Sequence, residues 1–514
     1  MRMQKSGYLT VYAALSLAVL MSLFLAILES TRYHTMELEA KLVMDIAGDS
    51  ILAEYHREML EQYGMFWIDT SYGTNQPAVE KVEEHLEYYA EKNLAVDEVF
   101  LGDYLYKDFL AMEVGSIDID KVSVASDGDG EVFRRRAVEV VEADIGISLL
   151  EQVAGWLEVV EINGLDGADT EGEMEQVDEQ IEAYDGTQKQ IGEEWITIEV
   201  ENPTKKLESL KRKGILQLVA PDNKEISTAA VDTRNLISSR RKESSNSTEG
   251  VKSGMNQGNW EEQDTQNTLG ELTDRLLWQE YLLRYCGYFG DEKEDGLLQY
   301  QLEYLIAGKD NDTENLKSVV HRICAIREAA NMLYLLSDQV KCGEAEAVAT
   351  LIATALTIPE LEPVFRAAIL LGWAYVESLC DVKHLLGGET VPLLKAEGDW
   401  YTDLDCVLEG MDELPESSTG SGAQDAGGLS EGGGGSGAQG SGGLSYADYL
   451  RLLLALSNLE TQTFRMMDIV EMDIRQTPGN EAFRLDGCID KIAIQAVVDS
   501  KYGYQLTIDT VKQY

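Results

Sequence analysis

Apolar positions along this chain follow three different rules. Between residues 6 and 28 (SGYLTVYAALSLAVLMSLFLAIL) they occupy every face and no charge interrupts them. A helix of that length rises about 35 Å, enough to cross a hydrocarbon core of about 30 Å with a little tilt. A segment apolar all round is not an amphipathic surface helix. From 29 to 64 the pattern becomes periodic. Leu38, Leu42 and Ile46 recur at intervals of four, and Leu52, Tyr55, Met59 and Tyr63 continue at three and four. This predicts that the membrane helix runs on as a stalk, bends at Gly48 and is capped by Gly64. The third rule is alternation, over 116–124 (SIDIDKVSV), 195–200 (WITIEV), 490–498 and 504–511. These read as strands, the last two as a hairpin joined through 499–503. One hairpin strand places Ile492, Ile494, Ala496 and Val498 on one face, and the other places Leu506 and Ile508. A lone hairpin is marginal in water. It is therefore expected to join 116–124 and 195–200 in one antiparallel sheet.

The remaining apolar periodicity is helical. Helices are expected over 77–93, 134–160, 446–475, and near 270–286, 312–336, 344–357 and 360–385, with 166–185 an acidic loop or weak helix. The runs 347–359 and 367–376 are apolar but short, and Glu360, Glu362 and Arg366 interrupt them, so they read as buried bundle helices. Residues 239–268 are polar and read as a linker or insertion. Within 417–445 the words GSGAQ and GGLS each occur twice, a Gly/Ser tether by composition.

Charge narrows the classes of function. Lys and Arg total 42 against 92 Asp and Glu, a formal charge of −50. That field repels nucleic acid, so no nucleic-acid partner is expected. Hydrophobic content of 44% is that of a globular chain. The six cysteines form no C-x-x-C pair, and Cys286, Cys324 and Cys380 lie within apolar helical patterns. Free buried thiols are favoured over disulfides there. The membrane segment is longer than a signal-peptide core and ends without a small-x-small site, which favours a retained anchor. Arg2 and Lys5 precede it. This flank predicts a cytoplasmic N-terminus (residues 1–5) and an extracytoplasmic remainder, in a single-pass protein of the cytoplasmic membrane.

Catalytic patterns are missing: there is no H-E-x-x-H, G-x-S-x-G or Walker loop. His34, His56, His85, His321 and His384 have no ligand spacing. Asp127-Gly-Asp129-Gly-Glu131 resembles the start of a calcium loop, but Val132 and Val138 stand where an EF-hand needs Gly and Glu, so a plain turn is the better reading. In 309–315, Asp312 and Asn315 ahead of an apolar run read as a helix-capping region rather than a cation loop. No cofactor or metal is expected, and the chain reads as non-enzymatic.

The segment KSGYLTVYAALSLAVLMSLFLAILESTRYH resembles the N-terminal segment of TadE/TadG-like proteins of Flp (tight adherence) pilus systems. Gly7, Thr10, Val11, Glu29 and Arg32 match the Gly, the Thr-Val pair and the closing Glu and Arg of those proteins. Downstream, MDIAGDSILAEYHREMLEQYGMFWIDTSYG, LQYQLEYLIAGKDNDTENLKSVVHRICAIREAANMLYLLSD and VPLLKAEGDWYTDL are similar to an uncharacterised family of single-span clostridial proteins associated with such pilus genes. Type IV-like prepilins carry Glu five residues after the processing Gly. Counted from Gly7, Tyr12 stands there, which speaks against prepilin-peptidase cleavage. The resemblance implies a membrane-anchored, non-enzymatic component of a Flp/Tad-type pilus or related secretion apparatus. Other apparatus subunits would be its partners, with Glu29 a candidate contact to a neighbouring span. The rival readings are a surface module binding wall polymer, cations or a host ligand, and an envelope hydrolase without a recognisable motif.

The fold class expected is α+β, mostly α: one transmembrane helix (6–28) continuing into a stalk (29–64), a pilin-like antiparallel sheet and a helical bundle. Segment by segment, 65–238 is an α+β part, 239–268 the linker, 269–413 the bundle, 417–445 the tether, and 446–514 a helix plus the C-terminal hairpin.

Overall fold

The computed structural model describes residues 5–74, 76–95, 110–142, 147–191, 194–200, 202–207, 210, 212–244, 271–409, 414 and 443–514. It is mostly helical, with a small antiparallel sheet and an apolar N-terminal helix, and so belongs to the α+β class. The chain divides into two compact units, each built from separated stretches. The first comprises 1–140, 234–267 and 470–514, and the second 141–233 and 268–469. This differs from the contiguous segments that the sequence suggests, which run 65–238, 269–413 and 446–514. The C-terminal hairpin returns to the strand over 112–124, as its alternation predicts, so the segment 446–514 is shared between the two units.

In the first unit one helix runs unbroken from Lys5 to Leu52. At about 1.5 Å per residue it extends roughly 72 Å. Gly48 does not bend it. A Cβ at Gly48 would lie 2.7 Å from the Lys512 side chain, and the Lys512 ammonium continues to Asp49 (2.7 Å) and Asp45 (3.3 Å). The glycine is there to let that lysine stem cross the helix. The break falls instead after Leu52, so the 29–64 stalk is two helices. The second, Arg57–Tyr63, is N-capped by His56 and ends at Gly64 in the left-handed region (φ 70°).

The packed face of the stalk is Met36, Ala40, Val43, Met44, Ala47 and Ile51, all buried, while Leu38, Leu42 and Ile46 are exposed. The four-residue stripe that marks the helix in the sequence is therefore its outer face. The buried face meets Val79, Val82, Leu86 and Ala90 of the helix Val79–Leu94 and one face of the sheet.

That sheet holds β1 (Ile68–Asp69), β2 (Met112–Val124), β5 (Cys488–Ser500) and β6 (Gln505–Gln513). The order is β1-β5-β2 with β6 also on β5, all antiparallel. Ile119 pairs with Ile494, Val122 with Ile492 and Ile117 with Ala496. As the alternation predicts, Ile492, Ile494, Ala496, Val498, Leu506 and Ile508 all face the core. The strand over 195–200 does not join them. It forms a separate two-stranded sheet, β3 (Gln188–Ile191) with β4 (Glu194–Thr197). The 239–268 stretch also begins as structure rather than linker: Arg240, in the helix Ile237–Ser244, reaches the buried Glu471 and the half-buried Asp486. Its remainder, 245–268, and the tether up to residue 442 lie outside the described residues.

The second unit is helical: Glu271–Tyr285, Gln301–Ala307, Asp312–Ser337, Gln339–Ala355, Glu362–Leu386 and Tyr446–Leu456 carry most of it. The expected single helix 446–475 is two, separated at Ser457 and Asn458, and the second (Leu459–Arg475) passes into the first unit at Val470. The expected 134–160 helix is likewise two, Asp127–Glu142, which is non-helical at 128–130, and Ile147–Asn163, and 170–182 is a true helix capped by Asp169. Asn311 caps the Asp312 helix by accepting from the Glu314 N–H (2.8 Å). Asp312 is instead buried and accepts from Ser227 and from the backbone of Gln299. Asn315 ties both backbone groups of Lys309. The capping region is real, shifted by one residue.

Candidate membrane anchor

The helix Tyr8–Leu52 has the length and composition to cross a membrane, and its most apolar window is fully exposed within the protein. Two of its hydroxyls turn back onto the helix itself. The hydroxyls of Ser22 and Thr31 donate to the carbonyls of Val19 and Ile27 on the same helix (2.9 and 2.8 Å). Backbone groups satisfied within the segment, and hydroxyls satisfied on that backbone, are what a hydrocarbon environment demands.

Of the five residues singled out by sequence, the structure joins two. Glu29 and Arg32 form an ion pair (3.3 Å) one turn apart. Gly7, Thr10 and Val11 lie on the same helix, about 30 Å away by its rise, and Val11 is exposed. The sequence reading missed what Glu29 and Arg32 meet. The β5–β6 turn comes back to this point: the Tyr504 hydroxyl donates to Glu29. The Arg32 guanidinium lies 4.2 Å over the Tyr502 ring, and Tyr33 meets Tyr504 edge-on at 5.8 Å. The two tyrosines of 501–504 (KYGY) carry the signal, but in the sequence Tyr502 belongs to a connection and Tyr504 to the start of a strand, and nothing there ties them to Glu29.

Other candidates resolve into structural roles. The 127–131 segment is a turn with Gly128, Asp129 and Gly130 at positive φ, and Asp127 accepts from the Val124 N–H (3.0 Å). Among the described residues no group of three or more His, Cys, Asp or Glu side chains is placed to hold a metal ion. All six cysteines are free thiols. His85 and the hydroxyls of Tyr72 and Tyr89 converge on Glu54, which pins the 71–74 loop.

The second unit buries four charges together. Arg327 donates to Asp381 (2.9 Å) and Lys395 to Glu377, all four side chains fully buried. Lys395 also stands 2.6 Å from Asp381 Oδ1, a contact ionic rather than hydrogen-bonded in geometry. Glu377 further accepts from Thr402, and Asn331 donates to Asp381. Two cations and two anions cancel, and the other donors of Arg327 go to Asn331, Tyr449 and the carbonyls of Pro392 and Leu393. Such a cluster fixes which helices meet; removing one partner strands a buried charge. Glu303 is different. It is buried without an ion pair among the described residues, accepts from the Phe289 N–H and the Tyr446 hydroxyl, and burial pushes its carboxyl up to about 7.

A family of unknown function, DUF5702, matches residues 193–500, more than half of the chain. The chain belongs to the DUF5702 family. The DUF5702 match runs from β4 to the end of β5, and thus takes in the buried charge cluster and the strand at the centre of the sheet. No curated protein and no solved structure matches the chain.

Proposed function

We propose that this protein is a membrane-anchored, extracytoplasmic, non-enzymatic component of a Flp/Tad-type pilus or related secretion apparatus, with its N-terminus in the cytoplasm. One observation carries this reading. A single unbroken helix is exposed and apolar in its first part, through Leu28, and from Met36 is built into the core of an antiparallel sheet. A helix shared between membrane and domain in this way is the design of pilin-like subunits, and the comparison is by architecture. The basic flank at Arg2 and Lys5 supports the orientation.

Protease added to intact protoplasts should digest nearly all of the chain beyond residue 29, and cross-linking in cells followed by purification should recover a pilin subunit. Full protection from protease would invert the topology. Recovery of wall polymer without any apparatus subunit would replace the pilus reading with that of a surface binding module.

A further inference from the structure

The β5–β6 turn lies at the same height as the end of the apolar segment. Glu29 is the first charged residue after 6–28, and Tyr504 bonds to it directly. The turn is firmly held. The Ser500 N–H donates to Tyr504 O (2.8 Å), the Lys501 N–H to Ala111 O (3.0 Å), and the Ser500 hydroxyl to Leu110 O (2.8 Å). At its tip Lys501 is exposed and Tyr502 is 48% exposed. Tyr33 against Tyr504 and Arg32 over Tyr502 thus stand at one level, with Lys501 next to Tyr502 in the turn.

The apolar segment, at about 35 Å, slightly exceeds a hydrocarbon core of about 30 Å, which sets Glu29 at the boundary with the headgroups. Tyrosine is enriched at that depth because its ring is apolar and its hydroxyl wet, and cations there reach lipid phosphate. Two cations at this place stand out on a chain of net charge −50. We propose that the 501–504 turn is a second membrane contact, seated in the lipid headgroup layer with the Tyr502 ring among the headgroups and Lys501 toward phosphate. The inference rests on the reading of 6–28 as a membrane span. Its consequence is that the sheet is held against the bilayer at two points and does not swing on a single helix.

The test uses the full-length protein reconstituted in vesicles of phosphatidylglycerol and phosphatidylcholine, with bromine near the top or the middle of the acyl chains. Tyr502→Trp and Phe24→Trp are compared with the parent protein, whose seven tryptophans set the background. Added fluorescence from position 24 should be lost to mid-chain bromine. That from position 502 should be lost to bromine near the headgroups and be shielded from aqueous iodide. Loss at 24 with no loss at 502, and full access of iodide there, overturns the second contact and leaves the anchor. No loss at either position overturns the span and this inference with it. Lys501→Trp repeats the measurement at an exposed position should Tyr502→Trp fail to fold.

Discussion

The helices Tyr8–Leu52 and Pro359–Leu386 both have the length and composition of a membrane span, and they meet opposite surroundings. The apolar window of the first is 0% buried within the protein, that of the second 72%. Their polar residues explain the difference. In the second helix Glu377, Asp381 and His384 reach Thr402, Arg327 and Glu389 in other parts of the same unit, and Arg366 meets Cys342. In the first, hydroxyls fold back onto their own carbonyls, and the first charge comes only at Glu29. Apolar content alone does not separate a span from a core helix. Whether the polar groups have partners elsewhere in the fold does.

The same substitution in both helices tests this most severely. Leu370→Asp places a carboxylate at a buried position of the second helix. It should destabilise the helical unit by more than about 4 kcal/mol, read as lost cooperative melting. Leu17→Asp, at an exposed position, should leave that melting unchanged. It should instead weaken membrane retention by about 3 kcal/mol, read as release of protein on carbonate extraction. Equal melting losses would mean that the first helix is also packed.

The periodicity found both helices, because long apolar repeats survive any tertiary context. It found three of the four strands of the sheet for the same reason, since Ile492 to Val498 alternate whatever they pair with; β1, only two residues long, carries no alternation to read. What it could not find depends on distant residues. Leu38, Leu42 and Ile46 repeat as regularly as the buried Met36, Ala40 and Val43, and only the position of the sheet tells the faces apart. Gly48 looked like a hinge because Lys512, which it accommodates, is far away in sequence. Glu29 and Arg32 stand out in the sequence at the end of the apolar run, but Tyr502 and Tyr504 meet them only through the return of the C-terminus. The charges that hold the Pro359–Leu386 helix were invisible for the same reason, since Arg327 and Lys395 flank it from separate segments.

Glu303 sharpens the comparison inside the helical unit, because it is a buried carboxyl without the counter-charges that Glu377 and Asp381 enjoy. Its folded-state value of about 7 lies above the 4.5 of an unperturbed Glu. Between those values the unfolded chain has released the proton and the folded chain still holds it. Stability from this group is therefore complete below about pH 4.5 and falls as pH rises to about 7, by about 3 kcal/mol. Glu303→Gln should flatten that fall. Chemical denaturation of parent and variant at pH 5 and pH 8 measures it: the variant should gain on the parent at pH 8. An unchanged difference between the two pH values would show that Glu303 is ionised throughout.

The smallest effects belong to the stalk, where exposed and buried faces alternate within one helix. Val43 is 3% exposed and its neighbour Leu42 is 53% exposed. Val43→Ser removes packing against the sheet and buries a hydroxyl, and should cost about 2 kcal/mol. Leu42→Ser should change the stability of the isolated protein by no more than about 0.5 kcal/mol, since that side chain is largely exposed among the described residues. Denaturation of both variants in dilute detergent reads the contrast. If Leu42→Ser is as costly as Val43→Ser and the cost vanishes on dilution, the outer stripe of Leu38, Leu42 and Ile46 is covered by another helix in the assembled state. If the cost persists at every concentration, the stalk packs within its own chain on both sides, and the division between its faces is wrong.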